Sequence, residues 1–224
     1  MIPGTPNRRG RRQASVGGTA ITASDLLIAW EGGDPIDLTA GIQMLGSPLA
    51  GVSESVGPWD AVWPADRIRN GSEIPDPTSW GAYSVAFVCK ILGRDGRRMF
   101  SSNGGDAIAI GFSAVSPIGT ATYETYVGGE IVAEGPESDP PNATDYQSVI
   151  FSKTGPDSAE LFINGVSAGT ATGGVASSAW SIFMDTGQVK WASLWIANKT
   201  WTAVEAAEHY NSGNFLSFAD LTLS

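Results

Sequence analysis

Two carboxylates about 5 Å apart on one sheet face could cleave a glycosidic bond, one as nucleophile and the other as acid and base. On a strand that geometry needs acids at alternating positions, and no strand-like segment of this chain carries them. The nearest approximations, Asp34 with Asp37 and Glu134 with Glu137 and Asp139, fall among glycines and prolines that read as loops. The only histidine, His209, stands four residues after Glu205 and next to Glu208 in a helical segment. It reads as a residue on or near the surface, paired along the helix with Glu205, rather than as the base of a nucleophile triad. The only cysteine, Cys89, lies inside the apolar run at 83–92 and reads as a buried core thiol. One histidine and one cysteine are too few for zinc, and no glycine-rich loop has the spacing that cradles a phosphate. The expectation is a chain with no catalytic residues and no required cofactor.

Binding chemistry is better represented. Asp34, Asp37, Asn103 and Asp106 offer the loop oxygens that calcium takes, with solvated turn residues as the competing reading. Among the 8 tryptophans, Trp59 and Trp63 of the segment GPWDAVWP, together with Trp80, lie in a loop-rich region where an indole face could stack on a sugar. Trp30, Trp191 and Trp195 read as core. The formal net charge is −10, yet the first twelve residues hold Arg8, Arg9, Arg11 and Arg12 and no acid; beyond them, 9 basic side chains face 23 acidic ones. A basic arm thus precedes an acidic body. It reads as a docking arm for an acidic surface or nucleic acid, with a solubilising tail as the alternative.

These residues need a frame, and the pattern supplies one. Glycine at 28 positions and proline at 13 punctuate the chain, and helical periodicity appears only near its C-terminus, which favours an all-β fold. Strand signals occur at 25–30, at 41–45, briefly at 60–62, and then regularly from residue 80. Tyr83, Val85, Phe87, Cys89 and Ile91 share one face, as do Ile108, Ile110 and Phe112; a hairpin turns at Gly128-Gly129, and another strand runs from 146 to 153. Leu161 and Ile163 alternate with Glu160 and Phe162 before Asn164-Gly165, the dipeptide that best supplies the two positive φ angles of a tight hairpin. The buried set should include Ile108, Ile110, Phe112, Leu161 and Ile163.

The strand 189–197 is apolar on both sides, with Trp191 and Trp195 on one and Leu194 and Ile196 on the other, so the face away from the core needs a cover. Thr202-Ala203-Val204-Glu205 is a capping box that opens one helix within 202–212, and Gly213 is placed to stop it. The segment FLSFADLTLS reads as a last strand or an intersubunit contact. Residues 1–22 form the arm and 23–224 a single sandwich domain. No apolar run is long enough to span a bilayer, and the N-terminus lacks the hydrophobic centre of a signal peptide, so the expectation is synthesis in a cytoplasm without membrane insertion.

With these elements in place a resemblance emerges. ELFINGVSAG resembles the "lYvNGv" hairpin of the laminin G-like, concanavalin A-like jelly-roll family, and VKWASLWIANKTWTAVEAAEHYNSG resembles its closing strand, turn and helix. Residues 146–155 are similar to the strand and turn before that hairpin; over 23–79 only DLLIAW and GPWDAVW are similar to its opening strands. The resemblance implies a two-sheet antiparallel jelly-roll sandwich with one short C-terminal helix, and loops of the kind that bind calcium in some members. The family spans lectins, adhesion modules, glycosidases and virion proteins; its glycosidases carry E-x-D-x-x-E on one strand, which is absent here. The Arg-bearing arm and the Gly/Ala/Thr-rich style are similar to minor tail or head-decoration proteins of tailed bacteriophages. That implies a non-enzymatic virion accessory protein, oligomeric in the particle, whose arm binds other virion proteins and whose loops meet a host-surface glycan. A free carbohydrate-binding lectin is the alternative, and a glycoside hydrolase the third reading.

Overall fold

The computed structural model of the chain describes residues 21–32, 50–63, 82–91, 98–102, 107–112, 121–127, 130–134, 146–155, 158–172, 180–182 and 189–221. Of the expected arm at 1–22, residues 1–20 lie outside these residues, as does the expected strand at 41–45, while Ile21 is described and is buried in the core.

The described strands are β1 (Leu26–Glu31), β2 (Ala50–Val56), β3 (Trp59–Trp63), β4 (Tyr83–Ile91), β5 (Arg98–Ser102), β6 (Ala107–Phe112), β7 (Ala121–Val127), β8 (Glu130–Glu134), β9 (Gln147–Gly155), β10 (Ser158–Ile163), β11 (Val166–Thr172), β12 (Trp180–Ile182) and β13 (Val189–Ala197), followed by one helix, α1 (Ala203–Tyr210). They form two antiparallel sheets. The larger runs β11-β10-β9-β4-β13-β3-β2, with β1 also on β13, and the smaller runs β12-β5-β6-β7-β8. Strands β7 and β8 approach β10 and β11, bringing the sheets together. β2 and β12 fall where the sequence carries no clear strand signal.

The middle of the larger sheet is closed on both faces. β4 from Tyr83 to Lys90, β9 from Ser148 to Lys153 and β13 from Trp191 to Ala197 are buried without a break. Val85, Phe87, Val149, Phe151, Leu161 and Leu194 line the side toward the second sheet, where Phe87 meets Trp191 edge-on at 5.0 Å. Leu161 and Ile163 are buried as expected, as is the Cys89 thiol. The side chains of Ile108, Ile110 and Phe112 lie outside the described set.

The opposite side is covered from within the chain. Ala86, Ile150, Phe162, Trp195 and Ala197 of the sheet pack against Trp201, Ala206 of α1, Ile21, Leu216 and Leu221. This fulfils the expected cover for β13, but with a different arrangement of its tryptophans. A bulge between Trp191 and Ser193 shifts the register against β4, so that Trp191 opposes Cys89 on the inner side and Trp195 opposes Ala86 on the outer side. One inserted residue reverses the side on which everything beyond it points, which strict alternation does not foresee.

The helix forms where its capping box places it. Thr202 Oγ1 accepts from the Glu205 amide at 3.4 Å, and Glu205 Oε2 accepts from the Thr202 amide at 2.7 Å. Its end differs from expectation: Asn211, at φ 47°, takes the left-handed capping position ahead of Gly213. As far as Leu221 the following segment is not a strand. Phe215, Leu216 and Leu221 fold back onto the sheet of their own chain through a 3-10 turn at Phe218–Asp220.

Candidate functional site

The outer face of the larger sheet gathers most of the described polar chemistry. Ser84 on β4 and Ser152 on β9 stand side by side beneath the residues that lead into α1. The Trp201 amide donates to both hydroxyls, at 2.8 and 2.9 Å, while Ser84 donates to the Lys199 carbonyl at 2.9 Å and Ser152 to the Trp201 carbonyl at 2.8 Å. Buried backbone groups need such partners, and two small hydroxyls on one face supply them without displacing the Trp201 ring. Lys199 then joins Asp25 and Glu205, each at 2.8 Å. Burial pulls the lysine pKa down, but its bonds to Asp25 and Glu205 outweigh this and raise it; for Asp25, burial pushes up, and bonds from Lys199 and Thr22 hold it below the usual carboxylate value. Glu205 is thus engaged at the start of the helix and does not pair with His209.

His209 is fully buried, which overturns its expected surface position. Its Nδ1 lies 2.9 Å from Ser148 Oγ, and its ring is held between Trp195 at 5.0 Å and Trp201 at 5.5 Å. Among the described residues its Nε2 has no hydrogen-bond partner. Burial drives its pKa down to about 3, so the ring is neutral. A serine and a histidine in contact suggest nucleophilic chemistry, but both are 0% exposed, and the next ring on either side is an indole rather than an orienting carboxylate. The pair is an anchor for α1.

Glu31, at the end of β1, is the other notable group. Its carboxylate accepts from the Phe218 amide at 2.6 Å and from Ser217 Oγ at 3.1 Å. The indole N–H groups of Trp59 and Trp195 lie close to it without completing a well-aligned hydrogen bond. Desolvation outweighs these donors and leaves the Glu31 pKa above the usual carboxylate value.

Trp59, expected as a sugar-stacking platform, is instead buried at 6% exposure and stacks on Phe215 at 6.0 Å. Proximity to Pro58 and Gly57 makes its neighbourhood loop-like in sequence, yet it opens β3, which pairs with β2 and β13. The side chain of Trp63, and all of Trp80, Asp34, Asp37, Asn103, Asp106, Arg8, Arg9, Arg11 and Arg12, lie outside the described residues. Among those described, no three His, Cys, Asp or Glu residues converge to hold a metal ion, and no helix is long and apolar enough to cross a membrane. Sequence reasoning did not single out Glu31, Ser84, Ser148 or Ser152. Two serines four apart, and so on one face of an otherwise apolar strand, as in SVIFSK, are the available signal for the last two.

No protein-family model matches the chain, and no curated protein sequence does. Solved structures do. The chain is similar to the binding domain of Paraclostridial Mosquitocidal Protein 1, at 11% identity and a TM-score of 0.62 over 85% of this chain and 52% of that one. It is similar to the binding domain of botulinum neurotoxin DC in complex with SialylT, at 13% and 0.54 over 85% and 52%. It is also similar to domain 4 of AbnA, a GH43 extracellular arabinanase from Geobacillus stearothermophilus, in complex with arabinotriose, at 14% and 0.53 over 82% and 97%. The chain spans about half the length of the two toxin chains, at 52%, and nearly all of the arabinanase domain. At these identities the shared property is the fold, a lectin-like antiparallel jelly-roll sandwich with one short helix.

Proposed function

We propose that this chain is a non-enzymatic, lectin-like binding module that recognises carbohydrate through the loops and strand edges of its sandwich. The observation that carries this reading is the closure of the larger sheet on both faces. With α1 and residues 215–221 on one side and the second sheet on the other, its centre offers no open cleft for a substrate, so contacts with a ligand fall to the periphery. Carbohydrate is the favoured class because domain 4 of AbnA holds arabinotriose, and a toxin binding domain holds SialylT, on frames of this fold. Trp63 and Trp80 remain the proposed stacking residues, and Trp59 is withdrawn from that role. Glycan-array screening followed by titration calorimetry should find an oligosaccharide ligand, and Trp63→Ala or Trp80→Ala should weaken it about tenfold or more without lowering the melting temperature. A folded protein that binds no glycan on the array would reject the reading.

The sequence-based proposal of a phage virion accessory protein rests on the arm and its four arginines. Such an arm would attach the module to acidic surfaces of neighbouring virion proteins, and that attraction would weaken with salt. Deleting residues 1–20 should then release the protein from particles while leaving the melting temperature of the sandwich unchanged; unaltered incorporation would leave the arm a solvated tail.

A further inference from the structure

Residues 215–221 are held to the sandwich in an unusual way. Among the described residues their ties to the sheet are side chains rather than a strand ladder: Phe215, Leu216 and Leu221 are buried in the outer cover, and the Glu31 carboxylate takes both the Phe218 amide and the Ser217 hydroxyl. The connection from α1 into this segment is largely left-handed backbone, interrupted at Asn214, which has φ −88°. Asn211, Ser212 and Phe215 have φ of 47°, 52° and 54°, with Gly213 at 87° between them. Asparagine and glycine adopt this region readily, whereas serine does so less readily and a phenylalanine there is a genuine outlier. Residues 211–214 are all exposed, although Gly57 in the turn between β2 and β3 lies close against the Asn214 carbonyl. The bend is fixed chiefly by backbone bonds across it, from Phe215 to Tyr210 at 3.2 Å and from Leu216 to His209 at 3.0 Å.

A strained, solvent-facing bend, a short flap without ladder pairing and one carboxylate that gathers its donors together describe a strap with a latch. We propose that residues 215–221 open as a unit on the bend at 211–215, independently of global unfolding, and that Glu31 is the latch that sets how often they do so. Opening uncovers the Trp59 ring, which Phe215 covers when closed, and the edge of the outer face around Trp195. Among the described residues, the groups facing Glu31 are Ser217, the Phe218 amide and the two indoles, none of them charged, so the hold of Glu31 on the strap is one of hydrogen bonding.

Amide hydrogen exchange of the full chain, read by NMR or fragment mass spectrometry, tests this directly. In the unaltered protein the amides of Phe218 and Leu221 should exchange at least tenfold faster than those of Phe87 and Phe151 in the central strands. Glu31→Gln keeps the shape but removes the charge, and should speed strap exchange by about ten- to a hundredfold with the β4 and β9 amides unchanged. Ser217→Ala, which removes the longer of the two bonds to Glu31 together with the Ser217 cap on the Ala219 amide and leaves β1 untouched, should give a smaller increase confined to the same amides. Strap amides that exchange at the rate of the central strands in the unaltered protein, or variants that accelerate all amides equally, would overturn the proposal.

Discussion

Gly165→Ala should destabilise the fold by roughly 2–5 kcal/mol, combining the intrinsic penalty of a left-handed alanine with an overpacking term. Gly165 has φ +77°, and a Cβ placed on it would lie 2.8 Å from Ala207 Cα, 3.3 Å from Ala207 N and 3.4 Å from Ala206 O. These are backbone atoms of α1, which cannot rotate aside as a side chain could. The turn between β10 and β11 must therefore lift from the helix, or the helix from the sheet, and either movement disturbs the buried cluster that Ala206 and Trp201 share. The neighbouring contact is tight as well, since Asn164 and Ser148 exchange the Asn164 amide to Ser148 carbonyl bond at 2.8 Å and the Ser148 amide to Asn164 Oδ1 bond at 3.0 Å. Gly155→Ala is the matched control: its Cβ would meet only Ser158 Oγ, at 3.3 Å, and it should cost under about 1 kcal/mol. Urea unfolding of the two variants decides the matter; equal losses would show that contact with α1 is not what fixes Gly165.

That glycine also shows which parts of the structure the sequence could announce. Asn164-Gly165 marks the hairpin because the turn is a local property of two residues, and Thr202 with Glu205 marks the helix start because the capping bonds close within one turn. Alternation in β4, β9 and β10 is equally local. What the sequence does not disclose is whatever depends on where a second element lands. The role of Gly165 as a seat for the helix, the bulge at Trp191 and Ser193 that separates two tryptophans four apart, and the burial of His209 all depend on packing between segments distant along the chain. A histidine four residues from a glutamate on a helix looks like a surface pair, until the helix is laid with that stripe against Trp195 and the glutamate turned toward Lys199.

Trp59 teaches the same lesson about sites. Its sequence neighbourhood, with Pro58 before it and Pro64 after Trp63, suggests an exposed loop, whereas Phe215 arrives from the far end of the chain to cover it. Recognition residues are harder still to foresee on a fold of this kind, because the sandwich specifies a rigid frame while the ligand is set by loop residues with no periodic signature. The clustering of Ser84, Ser148, Ser152, Glu31 and His209 on the outer face belongs to the frame. Each of these groups ties α1 or the strap to the sheet.

Acid should weaken this attachment first, through His209. Its folded-state pKa, about 3, is depressed below the ordinary 6.5 by burial alone. Below pH 6.5 the unfolded chain takes up a proton that the folded chain refuses, so stability is full above that pH, falls as pH drops toward about 3, and is level with respect to this group below it. At pH 5 the loss should be roughly 2 kcal/mol, a figure set by the unfolded value and independent of how far below 5 the folded one lies. Glu31 works in the opposite sense: its raised pKa means that the folded chain holds its proton to higher pH, and stability falls as pH rises from 4.5 through that raised value. The two effects overlap, so the measurement must be a difference. His209→Phe keeps a ring between Trp195 and Trp201, loses the bond to Ser148, and cannot titrate; it should lower stability at pH 7.5 by about 1–3 kcal/mol for the unpaired Ser148 hydroxyl. Between pH 7.5 and 5 the gap between the two proteins should close by roughly 2 kcal/mol, because only the parent responds to the protonation of its single histidine. Denaturant titrations at the two pH values, with the parent and variant side by side, give that gap; an unchanged gap would mean that His209 is protonated in the fold and that its burial among the indoles has been misread.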